Sequence, residues 1–70
     1  MIKNILGMEI DFSKVERVGE VYGDPMWRRY NVYFISGRVV EIFEERHRES
    51  FPRDEFIKIW KKSSQRNRRK

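Results

Sequence analysis

The stretch WRRYNVYFI-SG-RVVEIFEER, residues 27–46, decides the fold of this 70-residue chain. Residues 27–35 and 38–46 are both rich in β-branched and aromatic side chains, which favour strands. Ser36 and Gly37 separate these two runs and are typical of a tight turn. The pattern predicts an antiparallel hairpin with Ser36 and Gly37 as a two-residue loop. Ile35 would then pair with Arg38, and the register of the whole hairpin would follow from that pair.

The predicted register leaves apolar side chains on both faces of the hairpin. One face would carry Phe34 opposite Val39 and Tyr30 opposite Phe43, and a helix can cover it. The other face would carry Tyr33 opposite Val40, with Ile42 two positions further along. An uncovered apolar face of this size indicates a binding surface. We therefore expect this second face to be covered by a curled part of the sheet, by a second subunit or by a ligand such as stacked bases, through Trp27, Tyr33, Val40 and Ile42.

Strand patterns also occupy the N-terminal third of the chain. Residues 2–12 alternate between apolar and polar positions, which predicts one half-buried strand with a bulge or bend at Gly7. Residues 13–16 have the Ser-x-x-Glu form of a capping box and predict one helical turn. A strand over residues 17–22 follows, although a helix there is the alternative. Gly23, Asp24 and Pro25 predict a turn.

A single helix is predicted near the C-terminus. Ser50 and Pro52 mark its start, and Phe56, Ile59 and Trp60 form an apolar stripe at helical spacing. The chain is thus predicted to be a small α+β domain over residues 1–64, with an antiparallel sheet of three to four strands, arranged as a meander, and the helix packed on it. Residues 65–70 contain no apolar side chain and are predicted to form a flexible basic tail.

The positive charge is concentrated at the C-terminal end. The formal net charge is +5, but residues 1–57 contain nine basic and eleven acidic side chains, whereas residues 58–70 contain seven basic and none acidic. A basic segment next to a nearly neutral body is typical of proteins that bind nucleic acid through phosphates. The predicted phosphate-binding residues are Lys58, Lys61, Lys62, Arg66, Arg68, Arg69 and Lys70, with Arg28 and Arg29 of the hairpin.

We therefore predict a small, non-enzymatic nucleic-acid-binding module. The alternative is a protein-interaction module, either a homodimeric adaptor or a small inhibitor of the kind found in phages and mobile elements. A minimal nuclease or toxin is a third, weaker hypothesis. The sequence does not distinguish DNA from RNA.

Catalytic and metal-binding motifs have little support in the sequence. The chain has no cysteine and one histidine, and its four glycines are isolated, so a Gly-rich phosphate loop is excluded. Glu41, Glu45, His47 and Glu49 alternate along one strand, but the arginines between them favour a solvated edge over a metal site. We expect no cofactor, no metal, no small-molecule substrate and no membrane association. The expected location is the cytoplasm.

Overall fold

The computed structural model describes residues 1–46 and 48–68, the last five of these by their backbone alone. Two antiparallel sheets and one helix form a small α+β fold. Strands β1 (Ile2–Ile5) and β2 (Met8–Asp11) make a two-stranded sheet. Strands β3 (Val15–Val18), β4 (Arg29–Phe34) and β5 (Val39–Phe43) make a three-stranded sheet in the order β3-β4-β5. Helix α1 spans Arg53–Arg68. The predicted fold class is confirmed.

The predicted single strand over residues 2–12 is wrong, because the chain reverses at Leu6 and Gly7. These two residues have φ values of 53° and 83°, which are typical of a two-residue hairpin turn. The amide of Gly7 donates to Asn4 Oδ1 at 2.9 Å, and Ile5 pairs with Met8. The reversal changes which side chains are buried: Ile5 and Ile10 enter the core, while Ile2 is exposed.

A short 3-10 helix, Phe12–Lys14, joins the two sheets. Asp11 caps it, because the Asp11 carboxylate accepts from both the amide of Ser13 (3.1 Å) and its hydroxyl (2.7 Å). These hydrogen bonds lower the pKa of Asp11. The turn predicted at residues 13–16 thus begins one residue earlier. Strand β3 follows it directly and ends at Val18, short of the predicted residue 22.

The register of the central hairpin differs by one residue from the predicted register. Tyr33 pairs with Val39 and Val32 pairs with Val40, because the loop has three residues rather than two. The amide of Phe34 donates to the Arg38 carbonyl (2.9 Å), and the amide of Gly37 donates to the Phe34 carbonyl (2.8 Å). Gly37 has a φ of 99°, as expected for the last residue of a three-residue hairpin loop.

This difference moves Val40 and Ile42 from the outer face of the hairpin into the core. Val40 is 8 % exposed and Ile42 is 1 % exposed, so their predicted placement on the outer face is wrong, and the chain itself covers both side chains. A one-residue slip reverses the direction of every side chain on one strand relative to its partner. The core face therefore carries Val40 and Ile42 next to Val32 and Tyr30.

One core joins both sheets to the helix. Phe56 of α1 is fully buried, and its ring lies 4.8 Å from that of Phe12 and 6.2 Å from that of Tyr30, between ring centroids. Ile59 and Trp60 are half-buried against the same cluster, so the predicted apolar stripe is confirmed, with Phe56 as its most buried member. The remaining buried apolar side chains are Ile5, Ile10, Val15, Val18, Val32, Phe34, Val40 and Ile42.

The start of α1 is held by Tyr30 of β4 and by residues that directly follow β3 and β5. The backbone amide of Arg53 donates to the Glu44 carboxylate at 2.9 Å, which caps the helix from the segment after β5. The Arg53 guanidinium donates from Nε to the Gly19 carbonyl at 2.6 Å, beyond the end of β3. The Tyr30 hydroxyl donates to the Phe51 carbonyl at 2.6 Å, and burial raises the pKa of this hydroxyl. These contacts set the direction in which the helix leaves the sheet.

Candidate nucleic-acid interface

Helix α1 presents a basic surface on the side opposite its buried residues. Lys58, Lys61 and Lys62 are exposed, whereas Phe56 and Ser63 are buried. At about 100° of rotation per residue, the three lysines centre roughly opposite Phe56 on the helix. We call Lys58, Lys61 and Lys62 the lysine face. Since the core holds the other side of the helix, this face is directed to solvent.

Glu55 lines the same shallow groove as the lysine face but forms no ion pair with it. Asp54 and Glu55 lie in the first turn of α1, where they stabilise the N-terminal end of the helix. Among the residues whose side chains are described, none forms an ion pair with Lys58, Lys61 or Lys62. Their ammonium groups are therefore available to an external anion.

The other predicted C-terminal contacts lie outside the side chains that the structure describes. They are Arg66, Arg68, Arg69 and Lys70. The predicted flexible tail, residues 65–70, falls on the same part of the chain.

The two hairpin arginines have different surroundings. Arg28 is exposed at the start of β4. Arg29 is engaged within the chain: its Nε lies 3.0 Å from Glu41 Oε2, and its Nη1 donates to the Trp27 carbonyl at 2.8 Å. The contact with Tyr22, together with the charge of Glu41, raises the pKa of Arg29. Of the two residues, Arg28 is thus the better placed to meet a phosphate.

The outer face of the three-stranded sheet carries a network of polar and aromatic side chains. The Arg17 guanidinium lies 3.9 Å from the centroid of the Tyr33 ring, so one face of this predicted stacking residue is already covered. The Tyr22 hydroxyl donates to Glu41 Oε2 at 2.9 Å and lies 3.3 Å from Asn31 Oδ1. The outer face is therefore not the apolar surface that the predicted register implied.

Trp27 is more exposed than Tyr33, the other aromatic residue predicted to stack. It is 49 % exposed in the loop before β4, and its ring centroid lies 6.1 Å from that of Phe43. The predicted turn at residues 23–25 is present in this loop. The amide of Trp27 lies 3.0 Å from both the Asp24 carbonyl and Asp24 Oδ1. Met26, beside it, is 62 % exposed.

Two arginines that the sequence analysis assigned to a solvated edge lie next to Trp27. Arg46 and Arg48 line an open groove together with Met26, Trp27 and Glu49. The sequence contains one signal of this cluster, the alternation of arginine with other residues at 46–48. The alternation does not indicate that Met26 and Trp27 lie near these arginines. Their proximity depends on the path that the chain takes after β5.

Two of the carboxylates that the sequence analysis considered and rejected as metal ligands make contacts within the chain. Glu41 accepts from Tyr22 and pairs with Arg29, and Glu45 lies 3.9 Å from Arg46. His47 lies outside the described residues. Within residues 1–46 and 48–68, no group of three His, Cys, Asp or Glu side chains is arranged to hold a metal ion.

Comparison of the chain with protein-family models, curated proteins and solved structures finds no match. Within the described residues, no helix is both long enough and apolar enough to cross a membrane. Any functional assignment must therefore come from the physical chemistry of the surfaces described above.

Proposed function

We propose that this protein is a cytoplasmic, non-enzymatic nucleic-acid-binding module that holds phosphates with the lysine face of α1. The observation that carries the proposal is the arrangement of Lys58, Lys61 and Lys62. They share one exposed helix surface, without ion pairs to the described side chains, on the side away from the core. The sequence continues this basic segment with Arg66, Arg68, Arg69 and Lys70.

A nucleic-acid backbone is the anion that fits a row of cations best. It repeats a negative charge every few ångströms, and each phosphate neutralised by a lysine or arginine releases condensed counterions. A helix with cations one turn apart can contact successive phosphates without reading the base sequence. We therefore expect binding that depends steeply on salt and only weakly on sequence.

The alternative, a protein-interaction module, has lost its main argument. It depended on Val40 and Ile42 lying on an uncovered apolar face of the hairpin. Both pack inside the chain, and the outer face carries the Arg17, Tyr22 and Arg29 contacts instead. The lysine face of α1 is still exposed, and its charge favours binding to an anionic partner.

Replacing Lys58, Lys61 and Lys62 together with glutamine should weaken binding to a DNA duplex and flatten its salt dependence. Glutamine and lysine have similar helix propensities, so the fold should be retained. Three lost phosphate contacts should reduce the slope of log K against log salt by up to about 2.7. Fluorescence anisotropy with a labelled duplex, over a series of salt concentrations, measures both effects.

The matched control replaces Lys3, Lys14 and Arg38 with glutamine. Both triple variants lower the formal net charge from +5 to +2, but the control residues are exposed elsewhere on the molecule. If the lysine face binds the phosphates, the control should keep nearly the wild-type slope. Equal losses in the two variants would show that net charge alone matters. No binding by the wild-type protein at low salt would contradict the proposal itself.

Deleting residues 65–70 should reduce the salt dependence of binding by more than the triple lysine replacement does. The free energy of unfolding should stay nearly unchanged. The deletion lowers the formal net charge from +5 to +1 and removes no apolar side chain. Up to four contacts would be lost, corresponding to about 3.6 in the slope on duplex DNA. Thermal melting by circular dichroism, together with the same anisotropy series, tests this expectation. Full affinity and slope in the truncated protein would remove these residues from the mechanism.

A further inference from the structure

An open groove lies at the end of the three-stranded sheet from which the chain leads into α1. Met26 and Trp27 of one loop and Arg46, Arg48 and Glu49 of another line it. We call it the Trp27 groove. It combines two exposed apolar side chains with two exposed cations, whereas the groove along the lysine face contains no aromatic side chain.

The position of Trp27 in this groove is fixed by its surroundings. The Asp24 carboxylate accepts from the amides of both Met26 (3.1 Å) and Trp27 (3.0 Å). The Trp27 carbonyl accepts from Arg29 Nη1 at 2.8 Å. Gly23 has a φ of 103°, and a Cβ there would lie only 2.6 Å from the Trp27 carbonyl oxygen, so the loop requires glycine at this position. These contacts hold the backbone of Trp27, so a ligand that stacks on its side chain does not have to order the loop.

The charges around the ring favour an anionic ligand. Arg46 and Arg48 line the groove, and Arg28 is exposed next to Trp27 in the sequence. Glu45 Oε2 lies 3.9 Å from Arg46 Nε and offsets part of the charge of this arginine, while Arg48 and Arg28 add further positive charge. A ligand that places a flat ring on Trp27 and negative groups beside it would match this pattern of side chains.

We propose that the Trp27 groove binds an unpaired base of a single-stranded nucleic acid, with the base stacked on Trp27 and the adjacent phosphates held by Arg46 and Arg48. Stacking on an aromatic side chain requires a base whose face is accessible, which a duplex does not offer in its interior. The inference rests on the proposed function and adds to it a preference for single strands.

The test uses the fluorescence of Trp27. The chain has two tryptophans, so a Trp60→Phe variant leaves Trp27 as the single reporter. Stacking of an oligothymidylate of about 12 nucleotides, within the site sizes of small single-strand binders, should quench this fluorescence. Trp27→Ala should weaken binding of the same oligonucleotide by about 5- to 100-fold, and Trp27→Phe should lose much less. Affinity for a duplex should be the same in the wild type, Trp27→Ala and Trp27→Phe.

A second variant pair tests the phosphate contacts. Arg46→Gln with Arg48→Gln should reduce the salt slope on the oligonucleotide by up to about 1.4, since each contact to a single strand contributes about 0.7. The control, Lys3→Gln with Lys14→Gln, removes the same charge and should leave the slope unchanged. Melting curves of all variants establish that each is folded, as expected for exposed side chains.

The outcomes separate this inference from the proposed function. If Trp27→Ala binds the oligonucleotide as the wild type does, or Trp27 fluorescence is not quenched, the groove inference is overturned and the lysine-face proposal stands. If thymidine monophosphate quenches Trp27 at the same concentration as the oligonucleotide, the groove is a nucleotide site and the strand inference is wrong. If the wild type binds neither single strands nor duplexes, both proposals fail together.

Discussion

Replacing Phe56 with alanine is expected to lower the free energy of unfolding by about 3–5 kcal/mol. Phe56 is fully buried, and its ring contacts those of Phe12, Tyr30 and Phe51 at centroid distances of 4.8, 6.2 and 6.5 Å. Removing it leaves a cavity where the helix meets both sheets. A small domain has a total stability of roughly 5–15 kcal/mol, so the variant should be close to unfolding at room temperature.

Urea denaturation followed by circular dichroism measures this loss, and Trp60→Ala provides the comparison. Trp60 is the larger side chain but is half-buried, so its removal should cost less than that of Phe56. A Phe56→Ala variant that melts close to the wild type, next to a Trp60→Ala variant that unfolds, would mean that α1 faces the sheet with a different side.

Replacing Val40 with lysine is expected to unfold the protein, whereas the same replacement at Val39 should be tolerated. Val40 is 8 % exposed on the core face of β5, and Val39 is 52 % exposed on the outer face. A lysine at position 40 would bring an unpaired charge into the core, at a cost of about 3–5 kcal/mol. At position 39 it would remain in water, with an effect on stability within about 0.5 kcal/mol.

This pair of variants distinguishes the two registers of the hairpin. The register predicted from a two-residue loop places Val39 on the helix-covered face and Val40 on the other, which reverses the expectation. Thermal melting of both variants, with native mass measured in the same buffer, decides between them. If Val39→Lys unfolds the protein and Val40→Lys keeps the wild-type melting temperature, the strands pair in the register predicted from the sequence.

The basic surface on α1 could be predicted from the sequence, and the Trp27 groove could not. Lys58, Lys61 and Lys62 follow from helical spacing relative to Phe56, which is a local property of the chain. The groove is lined by Met26 and Trp27 together with Arg46, Arg48 and Glu49, and this arrangement depends on the path of the chain after β5. Periodicity along one segment contains no information on such a contact.

By itself, the sequence determined the elements that depend on neighbouring residues. Strand-forming runs on either side of Ser36 and Gly37 led to a hairpin, Asp24 and Pro25 to a turn, and Ser50 with Pro52 to a helix start. Only the tertiary structure decided the hairpin register and the capping of α1 by Glu44. The register was ambiguous because Val39 and Val40 are identical in type, so either can face the core. The three-residue loop resolves it by placing Val40 and Ile42 in the core, and this loop is a property of the folded chain.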